Sequence, residues 1–375
     1  MRILITNNRL AQPSGSELYV RDLAVALLRR GHSPVVYSPH LGDLARELRQ
    51  ATVPVIDRLE ALKAAPDLIH GQHHVEAMMA LLHFPQTPAV FVCHGWLPWA
   101  ETPPRFPRIL RYVAVDHTCR DRLVCEGGIP EDRVRVILNF VDLGRFRARG
   151  PLPARPQRAL VFSNNAREDN YYRVIESACR RAGMAVDVVG MGVNNVSQQP
   201  ERILAQYDVV FAKARCALEA LATGNAVVLC DQAGAGPMVT TGELARLRRL
   251  NFGIRTLQEP IRPEIIAREI NRYDPADAAE VTRQVRATAG IEAAVDELIA
   301  LYQNVLTEYR EAGGDRESEG RAAAAYLDWL RDSLDREGAI YNPALVRLGR
   351  RLLRVPLLGR LIRTGVKSIS SRFNP

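Results

Sequence analysis

The chain has 375 residues, long for a single hydrophobic core, so two domains are expected. With 47% hydrophobic and 25% charged residues it has the composition of an ordinary globular protein, and no run of 18 apolar residues is present to cross a membrane as a helix. The net charge of +8 lies entirely in the C-terminal tail: no acidic residue follows Glu337, whereas Arg347, Arg350, Arg351, Arg354, Arg360, Arg363, Lys367 and Arg372 do. The neutral remainder argues against a broad nucleic-acid surface.

In chain order, RILIT (2–6) reads as a short buried strand and not as a signal peptide. A polar loop carrying Gly15 follows, then a helical spacing of apolar residues from Leu18 to the Gly31-His32 turn, then the strand PVVYSP. This βαβ opening has one glycine in its first turn, where a backbone without Cβ can approach a phosphate or sugar. It is not a GxGxxG fingerprint, and no acidic residue follows the second strand, which counts against an NAD enzyme. PDLIHG, AVFVCHG, YVAVD and VRVILN continue the alternation and imply a parallel sheet flanked by helices.

The stretch RARGPLPARPQR has no apolar period and reads as a linker, placed at 149–158. A second α/β set starts with ALVFSN and continues through VDVVGM, DVVFAK and AVVLCD. The expected fold class is therefore α/β, with two Rossmann-like domains at 1–148 and 159–310, the second closed by a helix around 297–310. A helical extension, 311–375, ends the chain. Six cysteines without a CxxC pair are expected to be free thiols of a reducing cytoplasm.

The segment VVFAKARCALEALATGNAVVLCD (209–231) is the most informative. A buried strand leads into a loop with Lys213 and Arg215, then a helix carrying Glu219 and closed by Gly224, then a second strand. Cations at the start of a helix, on the C-terminal edge of a parallel sheet, make a pocket for an anion. Arg167, after the first strand of the second half, is a further cation for that pocket. His94 ends the strand AVFVC, at the sheet edge where α/β sites form. His70, His73 and His74 lie close in sequence, but no fourth ligand accompanies them; His73 and His74 are expected on the cleft. No Asp-x-Asp occurs, so neither a metal nor another cofactor is expected.

Three segments together resemble the GT-B glycosyltransferases, and within them family 4: the opening SGSELYVRDLAVALLRRGH, the segment VRVILNFVDLGRF and LEALATGNAVV. The resemblance covers roughly residues 1–310. It implies two domains facing across a cleft and transfer of a sugar from a nucleotide donor to a glycan or lipid-linked acceptor on the first domain. It also implies that Glu219 holds the ribose, Lys213, Arg215 and Arg167 the diphosphate, and Gly15 and His94 the transferring sugar. Phe211 stands where the family has a second glutamate, and Ala212, Ala214 and Cys216 replace its usual glycine-rich surroundings. A non-catalytic nucleotide- or partner-binding protein and a sugar-nucleotide epimerase of the same architecture therefore stay open.

In the tail, Leu345, Leu348, Leu352 and Val355 share one helical arc and Arg347, Arg350, Arg351 and Arg354 another, a division repeated after Pro356. Such a segment fits the anionic inner face of a membrane, or a helix packed on the body with its basic face solvated.

Overall fold

The computed structural model describes residues 1–340, with side chains through Asp335; the basic segment 341–375 lies outside the described residues. Seven strands, β1 (Arg2–Thr6), β2 (Ser33–Tyr37), β3 (Val55–Ile56), β4 (Leu68–Gln72), β5 (Ala89–Cys93), β6 (Ile109–Ala114) and β7 (Val134–Val136), form one sheet. All its neighbours are parallel, in the order β3-β2-β1-β4-β5-β6-β7. Helices cover both faces, which is why β5 is apolar and buried at every position and not alternating.

The second sheet contains β8 (Arg158–Phe162), β9 (Ala185–Val189), β10 (Val209–Ala212), β11 (Ala226–Asp231) and β12 (Gly234–Met238), in the order β12-β11-β10-β8-β9. Its edge strand β12 runs antiparallel to β11. Strand order reverses between β1 and β4 in the first sheet and between β8 and β10 in the second. Loops at such reversals splay apart on the carboxyl side and leave room for a ligand. Here the two reversal points meet: Asn164, after β8, lies 3.5 Å through Nδ2 from the carbonyl oxygen of Pro13, after β1.

Two features depart from the sequence reading. The helix Ile291–Ala312 was expected to close the second half, yet its apolar stripe (Ile291, Val295, Leu298, Leu301, Tyr302, Val305) packs into the first core. Conversely, Val141 and Phe146, ahead of the expected boundary, belong to the second core. The chain thus crosses between domains twice, side by side: Val141 N–H donates to Ala289 O (2.9 Å) and Ile291 N–H to Val141 O (3.1 Å). Hydrophobic periodicity identifies a buried face but not the core that receives it.

The helix Arg316–Ile340 also docks on the first domain. Glu319 pairs with the buried Arg108 (2.9 Å), whose guanidinium also donates to Leu81 O, Phe84 O and Thr87 O around the end of the His74–His83 helix. Among the described residues, no helix is long and apolar enough to cross a membrane.

Candidate active site

The first domain contributes a buried histidine cluster. His70 lies within β4, fully buried, with Nδ1 2.6 Å from the Tyr302 hydroxyl. His73 follows β4 with φ 57, a left-handed conformation that a side chain with a Cβ adopts only under strain. His94 follows β5; it is half-buried as a residue, but its Nε2 is sealed from solvent and has no partner among the described residues. The edge of the His94 ring meets Tyr19 at 4.6 Å between centroids.

One carboxylate ties these groups together. Glu101, 3% exposed, accepts the His94 backbone N–H on Oε2 (2.8 Å), and its Oε1 lies 3.5 Å from His73 Nε2. On the other side of the ring, His73 Nδ1 accepts the backbone N–H of Asn8, in the loop after β1 (3.1 Å). Burial lowers the His94 pKa to about 4, and burial with the charge of His94 lowers that of His70 to about 3, so both are neutral at pH 7. Burial acts the same way on His73, but the hydrogen bond and charge of Glu101, with Glu76 and Glu17, outweigh it and raise its pKa. A second proton on His73 can only go to Nδ1, and there it displaces the Asn8 bond.

The second domain contributes ion pairs. Lys213 precedes the helix Ala214–Thr223, whose first turn holds no acid, and its Nζ reaches Asp231 at the end of β11 (2.5 Å). Asn165 Nδ2 donates to the same carboxylate (3.1 Å). Ala214 is left-handed (φ 50), a conformation that a residue with a Cβ rarely adopts. Glu219 is fully packed in the middle of this helix, not at its opening turn; Arg215, one turn earlier, donates to it through Nε (2.8 Å). Arg215 Nη2 also pairs with Asp22, on the Gly15–Arg29 helix of the first domain. Burial raises the Glu219 pKa, with Arg215 only partly offsetting it, whereas for Asp22 the charges of Arg215 and Arg21 outweigh burial and lower it.

These contacts correct three expectations. Arg215 does not project into the loop as a free cation, because Glu219 and Asp22 enclose it. His74 does not line the cleft: it is fully buried against Trp99 and Trp329, with Nδ1 2.8 Å from the Tyr326 hydroxyl, and anchors the C-terminal helix. The start of the Gly15–Arg29 helix is already neutralised by Glu17, which accepts from Ser14 and Ser16, so a phosphate is disfavoured there. A Cβ on Gly15 would meet nothing within 4 Å; nothing in the fold demands glycine at that position. Arg167 is exposed on the loop after β8, where its backbone N–H donates to Asn170 Oδ1 (2.9 Å). Gly224 does close its helix left-handed, with φ 105.

Asp22, Glu101 and Asp231 complete the site but carry no local signal in the sequence. Gly190 does carry one: a Cβ there would sit 1.9 Å from Ser163 O, so only glycine lets the loops after β8 and β9 pack together beside the anion pocket. Phe211 is fully buried in the second domain's core. Among the described residues, no group of three or more His, Cys, Asp or Glu is placed to hold a metal ion. A cavity of about 130 Å³ adjoins Asp22 at the double crossing, with Asp142, Arg145, Ile291 and Glu292 in its wall, but neither Arg215 nor His94 lines it.

Two sheets, one parallel and one parallel but for its edge strand, meeting at their reversal points define the GT-B class. A glycosyltransferase from Rickettsia africae shares the fold with a TM-score of 0.61 at 15% identity, covering 81% of this chain and 98% of that one. HepE from Anabaena, solved with UDP, aligns with a TM-score of 0.60 at 15% identity over 81% and 100% of the two chains. A sucrose-phosphate synthase from Thermosynechococcus elongatus gives 0.52 at 16% identity over 82% and 99%. At these identities the likeness establishes the fold. Within that fold, Glycosyltransferase Family 4 matches residues 13–145 of the chain, from the loop after β1 to the first crossing. No curated protein matches its sequence.

Proposed function

We propose that this chain is a glycosyltransferase that binds a nucleotide-sugar on its second domain and transfers the sugar to a glycan or lipid-linked acceptor on its first. One observation carries the reading. The Ala214–Thr223 helix has an acid-free start with Lys213 at its head and Glu219 in its middle, and its Arg215 pairs with Asp22 of the first domain's Gly15–Arg29 helix, close enough to His94 for its charge to lower that histidine's pKa. Backbone N–H groups, the helix dipole and Lys213 stabilise the diphosphate leaving group as its charge grows. Lys213 must exchange Asp231 for that diphosphate, with Arg167 a second cation within the same loop system. These cations take the place of a metal. Glu219 keeps Oε2 for the ribose while Oε1 stays on Arg215. HepE, of the same fold, has been solved with UDP and with UDP-glucose, which makes uridine nucleotides the first donors to try.

Replacing Glu219 by Ala should weaken nucleotide binding at least tenfold, read as loss of the thermal shift that one of UDP, GDP, ADP, dTDP or CMP gives the wild type. An undiminished shift would remove Glu219 from the site.

The buried Phe211 favours a second reading, in which the chain binds a nucleotide without catalysing transfer. Nucleotide binding without consumption of any of the sugar conjugates would select it. The basic tail extends the first reading to the inner membrane surface and to envelope polysaccharide or glycolipid synthesis, at about 1 kcal/mol for each Lys or Arg near anionic lipid. Deleting 341–375 should abolish flotation with phosphatidylserine vesicles; persistent flotation would exclude the tail.

A further inference from the structure

The loops after β1, β4 and β5, three adjacent strands, converge on a single carboxylate that the proposed reaction has not yet used. Glu101 reaches His94 through its backbone and His73 through its ring, and His73 reaches the β1 loop through Asn8. We infer that Glu101 is a positioning residue: by fixing the tautomer of His73 and the pose of His94, it sets the first-domain surface against which the transferring sugar lies. This inference rests on the glycosyltransferase reading.

The chemistry is directional. Asn8 donates to His73 Nδ1, so that nitrogen presents its lone pair and the ring proton sits on Nε2. Nε2–H then needs an acceptor, and Glu101 supplies one. With Oε2 engaged by the His94 N–H, the carboxylate is used on both oxygens, inside a buried region where an unmet polar group is costly. The strained backbone of His73 indicates that the ring is placed here at the expense of local conformation. Glu101 holds His94 through its backbone N–H, and the ring Nε2 is buried without a hydrogen-bond partner among the described residues. Tyr19 packs on that ring and fixes its plane.

Glu101→Gln tests this in the full chain. The glutamine oxygen still accepts from the His94 N–H, but its NH₂ confronts Nε2–H of His73 with a second donor. The His73 proton must then move to Nδ1, where it opposes the Asn8 N–H. In protein labelled with ¹⁵N-histidine, the wild type should show His73 with a bare Nδ1, and Glu101→Gln should show the opposite tautomer. UDP affinity should stay within about twofold, while consumption of UDP-glucose falls by about a hundredfold, the loss expected when reacting groups are misplaced by an ångström. Glu101→Asp, which keeps the charge, should recover part of that rate. An unchanged His73 tautomer in Glu101→Gln overturns the inference. So does a parallel fall in affinity and rate, the mark of a merely structural role. If the wild type binds none of UDP, GDP, ADP, dTDP or CMP, the donor reading itself fails, and the tautomer measurement still decides whether Glu101 sets His73.

Discussion

The two walls of the cleft are built on opposite electrostatic plans. The first-domain wall is a hydrogen-bonded network around one buried carboxylate: His70 on Tyr302, His73 between Asn8 and Glu101, and His94 bound to Glu101 through its backbone. The second-domain wall is ionic, with Lys213 on Asp231 and Arg215 between Glu219 and Asp22. In the proposed reaction such a network offers fixed hydrogen bonds that need not rearrange when a sugar arrives. In the proposed reaction the ionic one has to trade partners, because a diphosphate would compete with the carboxylates already bound. One wall is preorganised and the other is poised to exchange.

The strongest way to break this contrast is Arg215→Ala, which leaves Asp22 and Glu219 buried without their shared cation. A loss of about 3–5 kcal/mol is expected in urea unfolding, against much less for an exposed arginine. A loss below about 1 kcal/mol would mean that the triple adds nothing to the domain contact.

Acid titration probes the buried neutral histidines. His70, His74 and His94 have pKa values of about 3, 4 and 4 in the fold, against 6.5 when free. The unfolded chain therefore takes up protons first as pH falls through 6.5, and stability drops until the folded histidines protonate near pH 4. Above about pH 6.5 the contribution is complete. For each histidine, every pH unit between the free and the folded value corresponds to on the order of 1.4 kcal/mol. A urea midpoint that stays flat between about pH 7 and pH 4.5 would contradict burial of the three neutral rings.

The smallest expected change in stability is at Lys213, a third exposed and paired with an Asp231 that Asn165 also satisfies. Lys213→Ala should cost under about 1 kcal/mol in stability but weaken nucleotide binding about tenfold, because a charge-assisted bond to phosphate is lost. Isothermal titration with UDP checks this. Equal affinity would place the diphosphate elsewhere.

Much of this architecture is legible in the chain itself. The β-strands announce themselves as short apolar runs, and the helix with Lys213 and Glu219 follows from a strand, a cation and a closing glycine within 16 residues of sequence. What stays hidden is everything fixed by distant partners. Asp22 looks like any surface acid of an amphipathic helix, and its cation is 193 positions away. Glu101 sits in a proline-rich loop with no period, and Tyr302 is one apolar position among several on its helix. His74 and His73 are adjacent in sequence, yet one belongs to the C-terminal helix's packing and the other to the cleft, since the turn at His73 sends neighbouring side chains apart. Periodicity reports burial; it does not report the address.

The return of the Ile291–Ala312 helix to the first sheet has a consequence for the birth of the protein. The first domain's strands are complete by Val136, but a wall of its core, including the tyrosine that receives His70, is not made until residue 305. At ribosomal speeds of roughly 5–20 residues per second, the nascent N-terminal half waits for about ten to thirty seconds with that apolar face uncovered. During that interval the second domain can fold ahead of the first, and chaperones have the most to hold.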